Sequence, residues 1–85
     1  MTQYSLRLSR QAAKTLRTLR DPELARIQGA LELLRITPFP PAAIKLRNRS
    51  EYRVRVGDYR IIYEVEQSTV LILVLATGHR RDVYR

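Results

Sequence analysis

The chain has 85 residues, with sixteen basic side chains against eight acidic ones and a net charge of +8. That length suits one compact domain, residues 1–85, with a modest core; the absence of cysteine excludes a disulfide framework or a thiolate zinc site and fits a reducing cytoplasm. Lys14 and Lys45 are the only lysines, so the positive charge is almost all arginine, whose planar, permanently charged fork of donors points to a polyanionic partner.

Tyr4, Leu6 and Leu8 alternate with Ser5 and Arg7, which predicts a first strand over residues 3–8. The same alternation argues against reading the arginine-containing, acid-free N-terminal stretch as a transit peptide. Ser9 is placed to cap a helix running through about Leu19, with Ala12, Leu16 and Leu19 on one face. Asp21-Pro22 marks a second start, a capping side chain followed by proline at the first helical position. Leu24, Ile27, Leu31 and Leu34 form the apolar stripe of this second helix, and the two helices are expected to make a hairpin packed on a sheet. Thr37-Pro38 ends the helical half, because a residue before proline is pushed out of the helical region.

The second half reads as strands. Ile44 and Leu46, then Tyr52, Val54 and Val56, alternate with polar residues. Gly57-Asp58 is a two-residue hairpin turn of the Gly-X kind, and Tyr59, Ile61, Tyr63 and Val65 continue the alternation beyond it. Gln67, Ser68 and Thr69 predict the next turn. The run from Val70 to Ala76 is continuously apolar, as in a strand buried on both faces, and is far too short to span a membrane. The fold class expected is α+β: one N-terminal strand, an α-helical hairpin, then a three-stranded antiparallel meander, with the helices packed on one face of a small sheet.

With Gly57-Asp58 as the loop, Val56 pairs with Tyr59, Arg55 with Arg60, and Arg53 with Ile62. Strand parity then puts Tyr52, Val54, Val56, Tyr59, Ile61, Tyr63 and Val65 on the core face and Arg53, Arg55 and Arg60 on the other. Like charges directly opposite each other cost stability, so this face is incomplete without an anion, either a phosphate or a partner's carboxylate. The competing reading is a solvated face balanced by Glu51 and Glu64 and screened by salt. A two- or three-residue turn at Gln67 brings the Leu75–Ala76 end of the last strand beside Arg60. The tail from Thr77 to Arg85 then emerges at the end of the sheet that carries Arg55 and Arg60, within reach of Arg80 and Tyr84.

The strings Tyr52-Arg53-Val54-Arg55-Val56-Gly57-Asp58-Tyr59-Arg60-Ile61-Ile62-Tyr63 and Gly78-His79-Arg80-Arg81-Asp82-Val83-Tyr84, together with the order of elements, resemble the RelE branch of the RelE/ParE toxin superfamily. The resemblance covers essentially the whole chain. It implies a type II toxin, cytoplasmic, that cuts messenger RNA in the ribosomal A site, the ribose 2′-hydroxyl attacking the adjacent phosphate. It implies no cofactor and no metal, and no carboxylate cluster in the sequence has metal-ligand spacing. The catalytic positions it implies are Arg53, Arg55, Arg60, Arg80 and Tyr84, with Lys45, Arg47, His79 and Arg81 contacting RNA. The best-known pattern has lysines where Arg53 and Arg55 stand; arginine holds its proton, which suits these two to phosphate binding and leaves the general base open. Tyr84 is one candidate for it, and alternatively stacks on a nucleobase. His79, the only histidine, has a structural role or a share in proton transfer.

The partners implied are an acidic RelB-like antitoxin and, through the complex with it, operator DNA; no membrane partner is expected. Two other readings remain. One is a gyrase poison of the ParE type, which shares the fold without needing the arginine and tyrosine set. The other is an inactive toxin subunit that acts with its antitoxin as a DNA-binding repressor.

Overall fold

A computed structural model of the chain describes residues 3–67 and the backbone of residues 71–79. The elements follow in the order β1 (Ser5–Leu8), α1 (Arg10–Thr18), α2 (Glu23–Ile36), β2 (Ile44–Lys45), β3 (Tyr52–Val56), β4 (Tyr59–Glu66) and β5 (Leu71–His79). The strands form one sheet in the order β1-β5-β4-β3-β2. β5 runs parallel to β1 and antiparallel to β4, so it is an interior strand paired along both of its edges. The α+β arrangement read from the sequence is the one found, with β2 added as a two-residue outer strand on β3.

Both helices lie on one face. α1 packs on β5 and β1, and α2 on β1 and β3. The core formed there contains Ala12, Ile27, Leu31, Leu34, Val54, Ile61 and Tyr63, with Leu16, Leu19, Tyr52, Val56, Tyr59 and Val65 partly buried against it. The predicted stripes of both helices and the predicted core face of the hairpin thus meet, and Leu24 is the one stripe residue outside this cluster. Tyr63, with no exposed surface, donates its hydroxyl to the Pro38 carbonyl at 2.8 Å, so its polar end is satisfied inside the fold. Burial, and secondarily the neighbouring Tyr52, pushes its pKa up to about 12. Tyr52 lies between Tyr63 and Phe39, with ring centroids 5.9 and 5.1 Å away.

Ser9 caps α1 as expected, accepting the Ala12 N–H at 3.1 Å. The start of α2 differs from the sequence reading. Pro22 is itself the N-cap, so the helix starts one residue later than predicted, and no side chain, Asp21 included, caps it. The backbone does part of that work: the Leu24 N–H reaches the Arg20 carbonyl at 3.0 Å, which uses one orphan donor of the first turn, and the Arg26 N–H on the Pro22 carbonyl at 3.1 Å is the first regular helical bond. At its other end α2 is tied to the sheet edge by Tyr4 N–H donating to the Arg35 carbonyl at 2.8 Å and Arg35 Nε donating back to the Tyr4 carbonyl at 3.0 Å.

Candidate functional site

The β3–β4 hairpin has the register read from the sequence: Val56 pairs with Tyr59, Arg55 with Arg60, Val54 with Ile61 and Arg53 with Ile62. Gly57 sets it. Its φ of 61° is one that L side chains rarely adopt, whereas Asp58 has no positive φ, the combination of a type II′ turn with glycine first. Because facing residues in an antiparallel pair share a face, Arg55 and Arg60 stand directly across from each other, with Cβ atoms about 4.5–5.5 Å apart. Arg53 is on the same side two residues along. A small concavity of about 40 Å³ at the hairpin tip is lined by Arg55, Gly57, Asp58, Tyr59 and Arg60. Asp58 and Tyr59 were not among the residues the sequence singled out, although the turn itself announced their place beside the arginines.

Arg53 sits in the middle of a cross-strand row, Ile44–Arg53–Ile62. Ile62 is almost fully buried and Ile44 half exposed. Between these apolar neighbours the Arg53 Nε is buried and makes no hydrogen bond. A desolvated donor without an acceptor is costly, and an oxyanion placed there would supply the acceptor. The proposed balancing acids do not fill this role. Glu51 is engaged by Arg49, at 2.9 Å from its Nε, and this hydrogen bond together with a backbone one holds the carboxyl below its ordinary value. Glu64 makes no ion pair among the described residues, and its register partner is Leu73.

The remaining candidates separate. Lys45 is the register partner of Tyr52, so parity puts it on the helix side of β2 rather than with the arginines. Arg47 lies in the β2–β3 turn, where Lys45, Leu46, Arg47, Asn48 and Arg49 line a shallow basic concavity of about 530 Å³. That turn is closed by Leu46 N–H donating to the Glu51 carbonyl at 2.9 Å, with Asn48 at a positive φ of 58°. β5 continues beyond Ala76 to His79, further than the sequence suggested. Gly78, not Leu75 or Ala76, is the partner of Arg60, and His79 pairs with Tyr59. Two features cause the shift. Four residues, 67–70, separate the paired Glu66 and Leu71 where a shorter turn was expected, and a bulge between Ile62 and Tyr63 adds a residue to β5. Arg80, Arg81 and Tyr84 lie outside the described residues, as does most of the predicted turn at Gln67, Ser68 and Thr69.

Among the described residues there is no group of three or more metal-ligating side chains, and no helix is long and apolar enough to cross a membrane. What the hairpin offers is a cationic strand face next to a sheet end where β5 delivers the rest of the chain.

This small sheet, with its helices on one face and its guanidinium groups on the other, is the fold of the RelE/ParE toxins. The sequence model of the ParE toxin of the type II toxin–antitoxin system parDE matches residues 6–84, and the chain belongs to that family. Solved structures agree. A chain of the RelBE2 toxin–antitoxin complex from Mycobacterium tuberculosis is 25% identical with a TM-score of 0.82, over 96% of this chain and 97% of that one. A chain of the RelE–RelB complex from the archaeon Pyrococcus horikoshii is 28% identical with a TM-score of 0.82, over 96% and 100%. The isolated RelE toxin of E. coli is 27% identical with a TM-score of 0.79, over 95% and 90%. No curated protein sequence matches.

Proposed function

We propose that this toxin is a metal-independent endoribonuclease of the RelE kind, one compact domain that cuts messenger RNA in the ribosomal A site and is neutralised by a cognate acidic antitoxin. The observation that carries the reading is the arginine face: Arg55 across from Arg60, with the buried, unbonded Nε of Arg53 beside them. Such a face costs stability in the free protein and becomes favourable around a phosphate that accumulates negative charge.

In the reaction the 2′-hydroxyl of one nucleotide attacks the adjacent phosphorus. The bond to the 5′-oxygen of the next nucleotide breaks and that oxygen takes a proton from water, leaving a 2′,3′-cyclic phosphate and a 5′-hydroxyl. Arg53, Arg55 and Arg60 stabilise the extra charge on the phosphorane. Arg80 contacts the leaving-group side, and Tyr84 takes the 2′-hydroxyl proton when neighbouring guanidinium groups favour its phenolate. Arg47, His79 and Arg81 hold flanking RNA, while Lys45, on the helix side, is left out of this set. The antitoxin-bound chains of M. tuberculosis and P. horikoshii support a RelB-like partner for this chain too, with operator DNA reached through that complex. These roles place the toxin in the cytoplasm.

A gyrase poison is the second reading, favoured by the family model being that of a ParE toxin. The test is induction of Arg60→Ala and Tyr84→Phe beside the wild-type chain, scored for growth arrest, for message cleavage and for DNA damage. Loss of cleavage and of arrest in both variants is the expected result. Arrest with intact message and damaged DNA establishes the gyrase reading instead.

A further inference from the structure

The two helices obey different electrostatic rules. α2 follows the stabilising ones: Glu23 lies in its first turn, Arg35 in its last, and Glu32 pairs with Arg35 at 3.0 Å. α1 breaks them. It has no acid in its first turn and opens on Arg10, a cation at the positive end of the helix dipole. Arg10, Lys14 and Arg17 follow at spacings of four and three, a like-charge stripe about 10 Å long. All three are exposed, and among the described residues none is ion-paired. Ala12 and Leu16 occupy the opposite side of the helix, in the core, so the stripe points directly away from the sheet. It is therefore on the other side of the molecule from Arg53, Arg55 and Arg60.

The kind of partner follows from what flanks the stripe. Gln11 and Thr15 lie beside it, 3.4 Å apart, with Thr18 bonded to the Thr15 carbonyl at 2.7 Å. The large exposed apolar residues, Leu33, Ile36, Phe39 and Ile44, are on α2, the loop after it and β2, and none is on α1. A protein partner needs an apolar centre to bury, which α1 lacks; nucleic-acid interfaces are more polar and more positive. We propose that the outer face of α1 docks on the phosphate backbone of double-stranded RNA through Arg10, Lys14 and Arg17. The choice of RNA over DNA rests on the reading of the strand face as an RNA site, and a backbone-only surface suits A-form duplexes, which proteins recognise by shape and phosphates.

The experiment is fluorescence anisotropy of the full chain with a labelled RNA duplex of about twenty base pairs across a salt series. R10Q/K14Q/R17Q is compared with the charge-matched R7Q/R26Q/R49Q, whose residues are exposed and lie outside α1 and outside the proposed RNA site, and thermal midpoints are recorded for both. The α1 triple should lose at least about tenfold in affinity, with the slope of log K against log salt shallower by about two to three. It should melt no lower than wild type, since it removes like-charge neighbours, while the control triple binds within about twofold of wild type. Equal losses in the two triples would show only the field of a basic protein and overturn the proposal. So would equal affinity for a DNA duplex of the same length, or retained RNA binding with loss of binding to polyglutamate. None of these outcomes bears on message cutting by Arg60→Ala, so the strand-face reading stands or falls separately.

Discussion

The two faces of the β3–β4 hairpin are built from the same strands in the same register and have opposite fates. On the helix side Val54, Ile61 and Tyr63 are buried against Ala12, Ile27, Leu31 and Leu34, and the Tyr63 hydroxyl finds the Pro38 carbonyl. On the other side Arg55 faces Arg60, and the Arg53 Nε is buried without an acceptor. One face is completed by the chain itself; on the other, the buried Arg53 Nε has no acceptor among the described residues. The contrast separates residues that build the core from the arginines that we propose bind phosphate, although they alternate one by one along the sequence.

Substitutions on the helix side should act on stability. Ile61→Ala empties a fully buried site and should lower unfolding free energy by about 2–5 kcal/mol, a large share of what a domain of this size has. Urea titration followed by circular dichroism measures it. On the arginine face the order reverses. Arg55→Ala should lower message cleavage at least about 100-fold, near 2.7 kcal/mol of transition-state stabilisation, with the urea midpoint unchanged or slightly raised because a like-charge pair is gone. A fall in stability there, or intact cleavage, would erase the distinction between the faces.

Smaller effects sharpen it. Tyr63→Phe keeps the ring and strands the Pro38 carbonyl, for a loss of about 1–2 kcal/mol. The raised Tyr63 pKa fixes the sign of a pH effect. Below pH 10 the phenol is protonated folded and unfolded alike. Between 10 and about 12 the unfolded chain ionises first, so stability falls as pH rises through that window. Stability measured across this range should show the decline in the wild-type chain and a shallower one in Tyr63→Phe. Ser9→Ala removes the α1 cap and should cost about 1 kcal/mol, with cleavage by the opposite face unaffected.

The hairpin was legible in the sequence because its information is local: a glycine that tolerates positive φ, a period of two, and a turn length that fixes every facing pair. Ser9 was legible for the same reason, as a side chain bonding three residues on. The start of α2 was not, since Asp21 looks like a cap while the chain satisfies a first-turn donor with the Arg20 carbonyl. The partner of Arg60 depended on the loop between Glu66 and Leu71 and on the bulge at Ile62/Tyr63, and neither leaves a composition signal. The separation of Lys45 from the arginines follows from the register of β2 on β3, which puts Ile44 beside Arg53 and Lys45 beside Tyr52, the reverse of what the alternation of Ile44 and Leu46 suggests. The orphaned Nε of Arg53 is a property of three neighbouring strands' side chains together, beyond the reach of any single segment.

The claim that the arginine face is completed by a reacting phosphate is tested most directly by incubating the purified chain, wild type and Arg55→Ala, with ribosomes programmed with a defined message and mapping the ends produced. The account predicts cuts in the A-site codon with 2′,3′-cyclic phosphate and 5′-hydroxyl ends, slowed at least about 100-fold by the substitution. Uncut message with the wild-type chain, or cutting at full rate by Arg55→Ala, would contradict it.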